Sequence, residues 1–413
     1  METAQSAQTV TVFPFTRLDE DGEVIIGRPE TGTFLVLEPS AVEVLDWLAD
    51  GSTIDEARHR YRELHGEPLN LQPFLKHLSA KGFVRLGRNG AAPDGSEAPD
   101  SDSTEGADGV RRFHLEAITP EAARTVFSTP ALTGVGLLLA AAVLALIARP
   151  DLLPSWRALY FPDGLGRFGS ALAVLSLLLV AVHELAHLVA ARAVGVSCRF
   201  GFGTRLWVPV AETDMTGVWA VPRRKRYLPF LAGPLADATG AALCVLFLFA
   251  EAEGWLMAPS WAVRFAGALL LIYLLTILWQ CYLFVRTDFY YVLANLLRCK
   301  NLMEDTRVFV GNLAARVLPW IRTRDQSHLP EHERRAVRWF SLAWLGGRCV
   351  AIAALVWIQL PLAWSYLVLL GGALTGSADT RQSPGTLFTA VLAVTTLALG
   401  LTLWIRSLYR RRR

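Results

Sequence analysis

The chain has 413 residues, 53% of them hydrophobic, with a mean hydropathy of +0.34 and a formal charge of only +3. That apolar content exceeds what an ordinary soluble domain carries and excludes a wholly soluble reading. Five cysteines (Cys198, Cys244, Cys281, Cys299, Cys349) have no CxxC spacing and no even count. They exclude a disulfide framework or a cysteine metal site and read as small apolar packers.

The opening residues, METAQSAQTVTVF, show no basic stretch followed by an apolar core. No cleaved secretory signal is expected, and the N-terminal domain is expected to stay in the cytoplasm. Short strands are predicted at Thr9–Phe13, Glu23–Ile26 and Thr33–Leu37, punctuated by Asp21-Gly22 and Thr31-Gly32. Three helices follow. The first carries a capping box, Ser40 with Glu43, and ends at Gly51. The second carries another, Thr53 with Glu56, and ends near Gly66. The third runs from about Pro73 to Lys81, and a last strand covers Phe83–Leu86. Residues 1–88 thus read as a small α+β winged-helix domain.

Residues 89–109 are almost entirely Gly, Ala, Pro, Ser, Asp and Glu, the composition of a flexible acidic linker. An amphipathic connector, residues 110–129, leads into a region where nearly every long apolar run of the chain lies. Apolar segments occupy about Ala131–Ala148, Phe168–Ala191, Leu228–Ala250, Ala262–Val285, Phe340–Leu360 and Leu387–Ile405. Each is close to the roughly 20 residues that cross a bilayer. The apolar stretch after Pro361 is a kinked continuation, a re-entrant piece or a seventh span. The fold expected is mainly α: a polytopic helical bundle of about six spans behind an N-terminal α+β domain. Its core is expected at residues 130–305, and residues 306–413 add a cytoplasmic loop and further spans.

Basic residues cluster in the loops after the second and fourth apolar segments, and the tail ends in four arginines, Arg410–Arg413. The intervening loops are poor in Lys and Arg. By the positive-inside rule both termini face the cytoplasm, and each cluster taken alone reads as lipid-headgroup contact.

The second apolar segment contains His183-Glu184-Leu185-Ala186-His187. Residues four apart share one helical face, so both imidazoles can reach one ion, with Glu184 beside them as a base. A short motif of this kind recurs by chance, but ionisable groups at the centre of a span cost about a few kcal/mol each. Three on one turn are not filler. A tetrahedral catalytic zinc needs a third protein ligand. Asp288, at a membrane boundary, is the favoured candidate; Asp237 and Asp214 are the alternatives. The bland role of Asp288 is a helix cap or a partner for Arg286.

These residues resemble the site-two protease family of intramembrane metalloproteases, whose members pair an HExxH helix with a later Gly-Pro helix and an aspartate. The matching stretches are His183–His187, Ala232-Gly233-Pro234-Leu235-Ala236 and Asp288, within about residues 165–305. The resemblance implies His183, His187 and Asp288 as ligands of one zinc ion, with Glu184 as general base for peptide hydrolysis. The family's Asn-Pro-x-Asp-Gly is here Val285-Arg286-Thr287-Asp288-Phe289, in which only the aspartate is kept. Tyr290-Tyr291-Val292-Leu293, Asn301-Leu302 and the loop from Thr213 to Arg224 are similar to a bacterial subgroup of peptide zinc metalloproteases.

The N-terminal domain resembles the recognition element of ribosomally made, modified peptides, the fold of the pyrroloquinoline-quinone chaperone. The stretch that carries this runs from Phe34–Leu37 through Val44–Leu48 to Phe74–Val84. Winged helices more often bind DNA, but residues 1–88 hold 14 Asp/Glu against 9 Arg/Lys, which opposes phosphate contact and nucleic acid. The resemblance implies that a leader peptide adds to the edge of Thr33–Leu37, with Phe34, Val36, Phe74, Lys76 and His77 as candidate contacts. The expected function is cleavage of a ribosomally synthesised precursor peptide, with peptide-modifying enzymes or an exporter as further partners. Two alternatives stand beside it: a regulatory protease of a membrane-bound signalling protein, and a non-catalytic scaffold or immunity protein.

Overall fold

The computed structural model describes residues 10–20, 22–28, 33–66, 70–86, 113–114, 118–155, 158, 165–196, 198–299, 301–320, 322–327, 329–375 and 384–410. The acidic linker expected at 89–109 lies outside the described residues. The described residues divide into two units. The first holds those up to Leu86 together with Val196, Cys198 and Met215–Arg226, and the second holds the rest.

The first unit is built from β1 (Val10–Val12), β2 (Thr16–Glu20), β3 (Glu23–Arg28), β4 (Thr33–Leu37), α1 (Pro39–Ala49), α2 (Ile54–His65), α3 (Leu71–Ala80) and β5 (Val84–Leu86). β2, β3 and β4 form an antiparallel meander, whereas β1 pairs with β5. The first expected strand therefore joins the last and not the second. β2 has no counterpart in the sequence reading, because Arg17-Leu18-Asp19-Glu20 shows no apolar alternation for a period-2 search to find. α1 corrects a second expectation. Its N-cap is Glu38 with a proline at the first position, and no side chain caps it, so Ser40 and Glu43 do not form a box. The box at Thr53 and Glu56 is present, and Gly66 closes α2 with a φ of 72°.

Strand alternation sends Val24, Ile26, Leu35 and Leu37 to one face of the meander. There they meet Leu45 and Leu48 of α1, Leu71, Leu75 and Leu78 along one stripe of α3, and the fully buried Phe83. Leu18, Ile25, Phe34 and Val36 point to the opposite face.

The second unit begins with β6 (Phe113–His114) and α4 (Pro120–Val126), capped by Thr119. The connector is thus a strand and a helix, not one amphipathic piece. Its long helices are α5 (Thr129–Ala148), α6 (Leu165–Ala193), α7 (Arg223–Ala252, its first turn in the other unit), α8 (Ser260–Gln280), α11 (Glu331–Ala354), α12 (Leu360–Thr375) and α13 (Pro384–Arg410). β7 (Arg199–Arg205) and β8 (Val208–Asp214) form a hairpin after α6, with β6 paired to β7. α9 (Asp288–Leu296) and α10 (Leu302–Ala315) follow α8.

Among the described residues, six helices are long and apolar enough to cross a membrane. Small residues bring three of them close: Ala142 and Ala145 of α5, Ala241 and Ala242 of α7 and Ala266 of α8 are all buried in one cluster. The fourth span stops at Gln280, earlier than the expected Val285. Beyond it Leu283–Val285 form a 3-10 turn, and Arg286 adopts φ 58°, a left-handed conformation that reverses the chain. α11 continues into α12 through a π-helical stretch, Leu355–Gln359, so the apolar run after Pro361 is a continuation. At about 1.5 Å per residue this 45-residue rod far exceeds the roughly 30 Å of hydrocarbon in a bilayer. All five cysteines are free, as the sequence leads one to expect.

Candidate metal centre

α6 carries His183 and His187 one turn apart, which places the ring centroids 4.8 Å from each other on one face. α7 lies against that face and presents Pro229, Gly233 and Asp237, themselves spaced at one helical turn each. Each imidazole donates through Nδ1 to an acceptor on α7. For His183 the acceptor is Asp237 Oδ2 at 2.7 Å, and for His187 it is the Pro229 carbonyl at 2.7 Å. With the proton held at Nδ1, the lone pair of each Nε2 faces inward.

Both Nε2 atoms converge on one carboxylate oxygen. Asp288 Oδ2 lies 3.0 Å from His183 Nε2 and 3.2 Å from His187 Nε2, and the two nitrogens are 3.1 Å apart. Two lone pairs and a carboxylate at those separations repel each other unless a proton or a metal cation sits among them. Among the described residues this is the group of His, Cys, Asp and Glu close enough together to hold a metal ion. A tetrahedral ion with bonds of about 2.0–2.1 Å has ligand–ligand edges of roughly 3.3–3.4 Å, close to the 3.0–3.2 Å separations here. The donor set of two imidazoles and one carboxylate fits a small borderline cation better than an oxygen-seeking one.

Gly233 makes this approach possible. A Cβ there would stand 2.4 Å from His187 Nε2 and 2.5 Å from His183 Nε2, inside any allowed contact. Asp288 is brought in by the reversal after α8. It opens α9, its backbone N–H donates to Gln280 Oε1 at 3.2 Å, and Thr287 Oγ1 donates to the Gln280 carbonyl at 2.7 Å. Buried Gln280 thus fixes both ends of the turn, and the left-handed Arg286 is the strained residue within it. Neither bland role of Asp288 holds. The N-cap of α9 is Thr287, and the Asp288 carboxylate is turned to the imidazoles.

Glu184 is held from outside the motif. Thr213 Oγ1, on β8, lies 2.9 Å from Glu184 Oε2 and 3.1 Å from the Glu184 carbonyl. One hydroxyl thereby anchors the carboxylate beside the two histidines and leaves its other oxygen for another proton.

The structure therefore brings together His183, Glu184, His187 and Asp288. Of the alternative ligands, Asp237 stands behind His183 as its orienting partner, and Asp214 lies opposite Arg199 in the hairpin, outside the group. Sequence reasoning missed Thr213, Gln280 and the Pro229 carbonyl. Only the spacing of Pro229, Gly233 and Asp237 at helical period hinted at a shared face. The candidate peptide contacts are not gathered. Phe34 and Val36 point away from the helices, the Phe34 ring lying over Gly27, while Phe74 packs on the helical core and Lys76 and His77 are exposed on α3.

Comparison with family models, with characterised proteins and with solved structures gives no match.

Proposed function

We propose that the chain is a membrane-embedded zinc metallopeptidase that cleaves a ribosomally synthesised precursor peptide captured by its N-terminal domain. The observation that carries the reading is the convergence of two imidazole nitrogens and Asp288 Oδ2 within 3.2 Å, each imidazole locked from behind at 2.7 Å. His183, His187 and Asp288 would hold the ion, which supplies a Lewis acid that polarises the scissile carbonyl. Glu184 takes a proton from the attacking water as oxygen bonds to the carbonyl carbon. It returns that proton to the amine as the C–N bond breaks. Thr213 keeps the Glu184 carboxylate aimed at the site throughout.

The peptide reading rests on the net negative charge of residues 1–88, which opposes nucleic acid, and on β4, an edge strand among the described residues. A recognition module carried on the same chain raises the local concentration of its peptide near the site. Both termini lie in the cytoplasm, as the arginine-rich loops and tail direct.

The test uses the full chain purified in detergent. One zinc per chain, lost in His183→Ala, and hydrolysis of a fluorescein-labelled precursor peptide lost in Glu184→Gln with zinc retained are the expected results. A wild-type chain that takes up no zinc sinks the metal assignment. Unchanged hydrolysis by Glu184→Gln sinks the assignment of the base.

A further inference from the structure

The outer face of the β2-β3-β4 meander is covered. Ile25 is only 4% exposed yet belongs to no part of the helix-side core, and Val218 is fully buried. What lies on this face is the chain's own segment Met215–Arg226, whose 3-10 turn, Thr216–Ala220, approaches all three strands. One carboxylate fastens it. Glu20, at the end of β2, accepts the Arg223 backbone N–H through Oε1 at 3.0 Å and the Arg226 guanidinium through Oε2 at 2.6 Å.

Arg226 is 3% exposed, and its other donors close the segment on itself. Nε donates to the Val221 carbonyl at 2.7 Å, Nη2 to the Trp219 carbonyl at 3.1 Å, and the guanidinium lies 5.3 Å from the Trp219 ring centroid. A guanidinium buried this deeply is strongly destabilising once its counter-charge is removed. Arg223 is also the first residue of α7. Glu20 therefore supplies, from 203 residues away in sequence, the acceptor and the negative charge that a helix N-terminus requires. The same helix presents Pro229, Gly233 and Asp237 to the metal centre, beginning one turn after Arg226.

We propose that Glu20 and Arg226 form a latch by which the N-terminal strand domain positions the first turn of α7, making that domain a controlling element of the metal centre as well as a tether for substrate. Its consequence for the centre rests on the metallopeptidase reading. Glu20 is a positioning residue; it touches no reacting atom.

The experiment is backbone amide exchange of the full chain in detergent, with zinc affinity measured on the same preparations. In Glu20→Ala, exchange across Arg223–Phe230 should rise at least tenfold and zinc affinity should fall about tenfold, with exchange in α2 and α3 unchanged. Glu20→Gln keeps an acceptor but no charge and should lie between. The charge swap Glu20→Arg with Arg226→Glu should recover part of both losses; if Glu20→Ala fails to fold, the Gln variant and the swap decide. Wild-type exchange across Arg223–Phe230 in Glu20→Ala, or raised exchange with zinc affinity unmoved, overturns the proposal. A wild-type chain that binds no zinc refutes the metallopeptidase reading, and the exchange data alone then judge the latch.

Discussion

Two residues that touch neither substrate nor, on this reading, the ion decide whether the two imidazoles are presented. Asp237 holds His183 through Nδ1 with both side chains buried, so rotation of the ring breaks a charge-assisted bond in a low-dielectric setting. Asp237→Asn should lower zinc affinity roughly 10–100-fold while the helices remain folded, as competition with a chelator would read out. No loss of affinity would mean that packing alone orients His183. Gly233→Ala should be more severe. Its Cβ meets both Nε2 atoms below 2.6 Å, and with Leu188 and Ala190 buried on the same helix, α6 has little room to retreat. Loss of stoichiometric zinc in that variant, measured by elemental analysis, is the expected outcome.

At the scale of elements, the β7–β8 hairpin ties two parts of the helical unit together. Near its base Thr213 reaches Glu184. At its tip Leu206 is left-handed, and the buried Trp207 donates through Nε1 to Gln359 Oε1 at 2.7 Å and packs edge-on against Trp404. Gln359 closes the π-helical stretch between α11 and α12, so an irregular turn in a spanning helix supplies the acceptor for the hairpin. Gln359→Leu removes that acceptor and leaves a buried indole N–H unpaired. The expected cost is about 1–3 kcal/mol of stability, checked by denaturant titration in detergent. A neutral or stabilising result would show that Trp207 finds another acceptor.

For the whole molecule, if all six candidate helices among the described residues cross, the chain ends on the side where it began. On the reading proposed above, the clusters of arginine between spans two and three and between spans four and five would choose the cytoplasm for that side. Reporters that mature only in the cytoplasm, fused at residue 1 and at residue 413, should therefore both be active. Activity at one end alone would mean that one of the six helices does not cross. The candidate metal centre belongs to the same arithmetic, since the residues that would hold an ion come from the second span and from the helix just after the fourth.

The legible parts of this protein are those fixed by local periodicity. His183, Glu184 and His187 are adjacent because four residues make about one turn, and the capping box of α2 is likewise a matter of four neighbours. Span positions follow from hydropathy for the same reason. β2 was illegible because its stability comes from pairing with β3 and from the partners of Glu20, not from its own pattern. The sequence by itself could offer three aspartates as the third ligand, and composition could not rank their distances to a common point. Only tertiary packing decided among them: the left-handed turn at Arg286 carries Asp288 to the imidazoles, while α7 places Asp237 behind one of them and the hairpin keeps Asp214 outside. A coordination shell is a set of distances between residues over 100 positions apart, which are fixed when helices pack and not before.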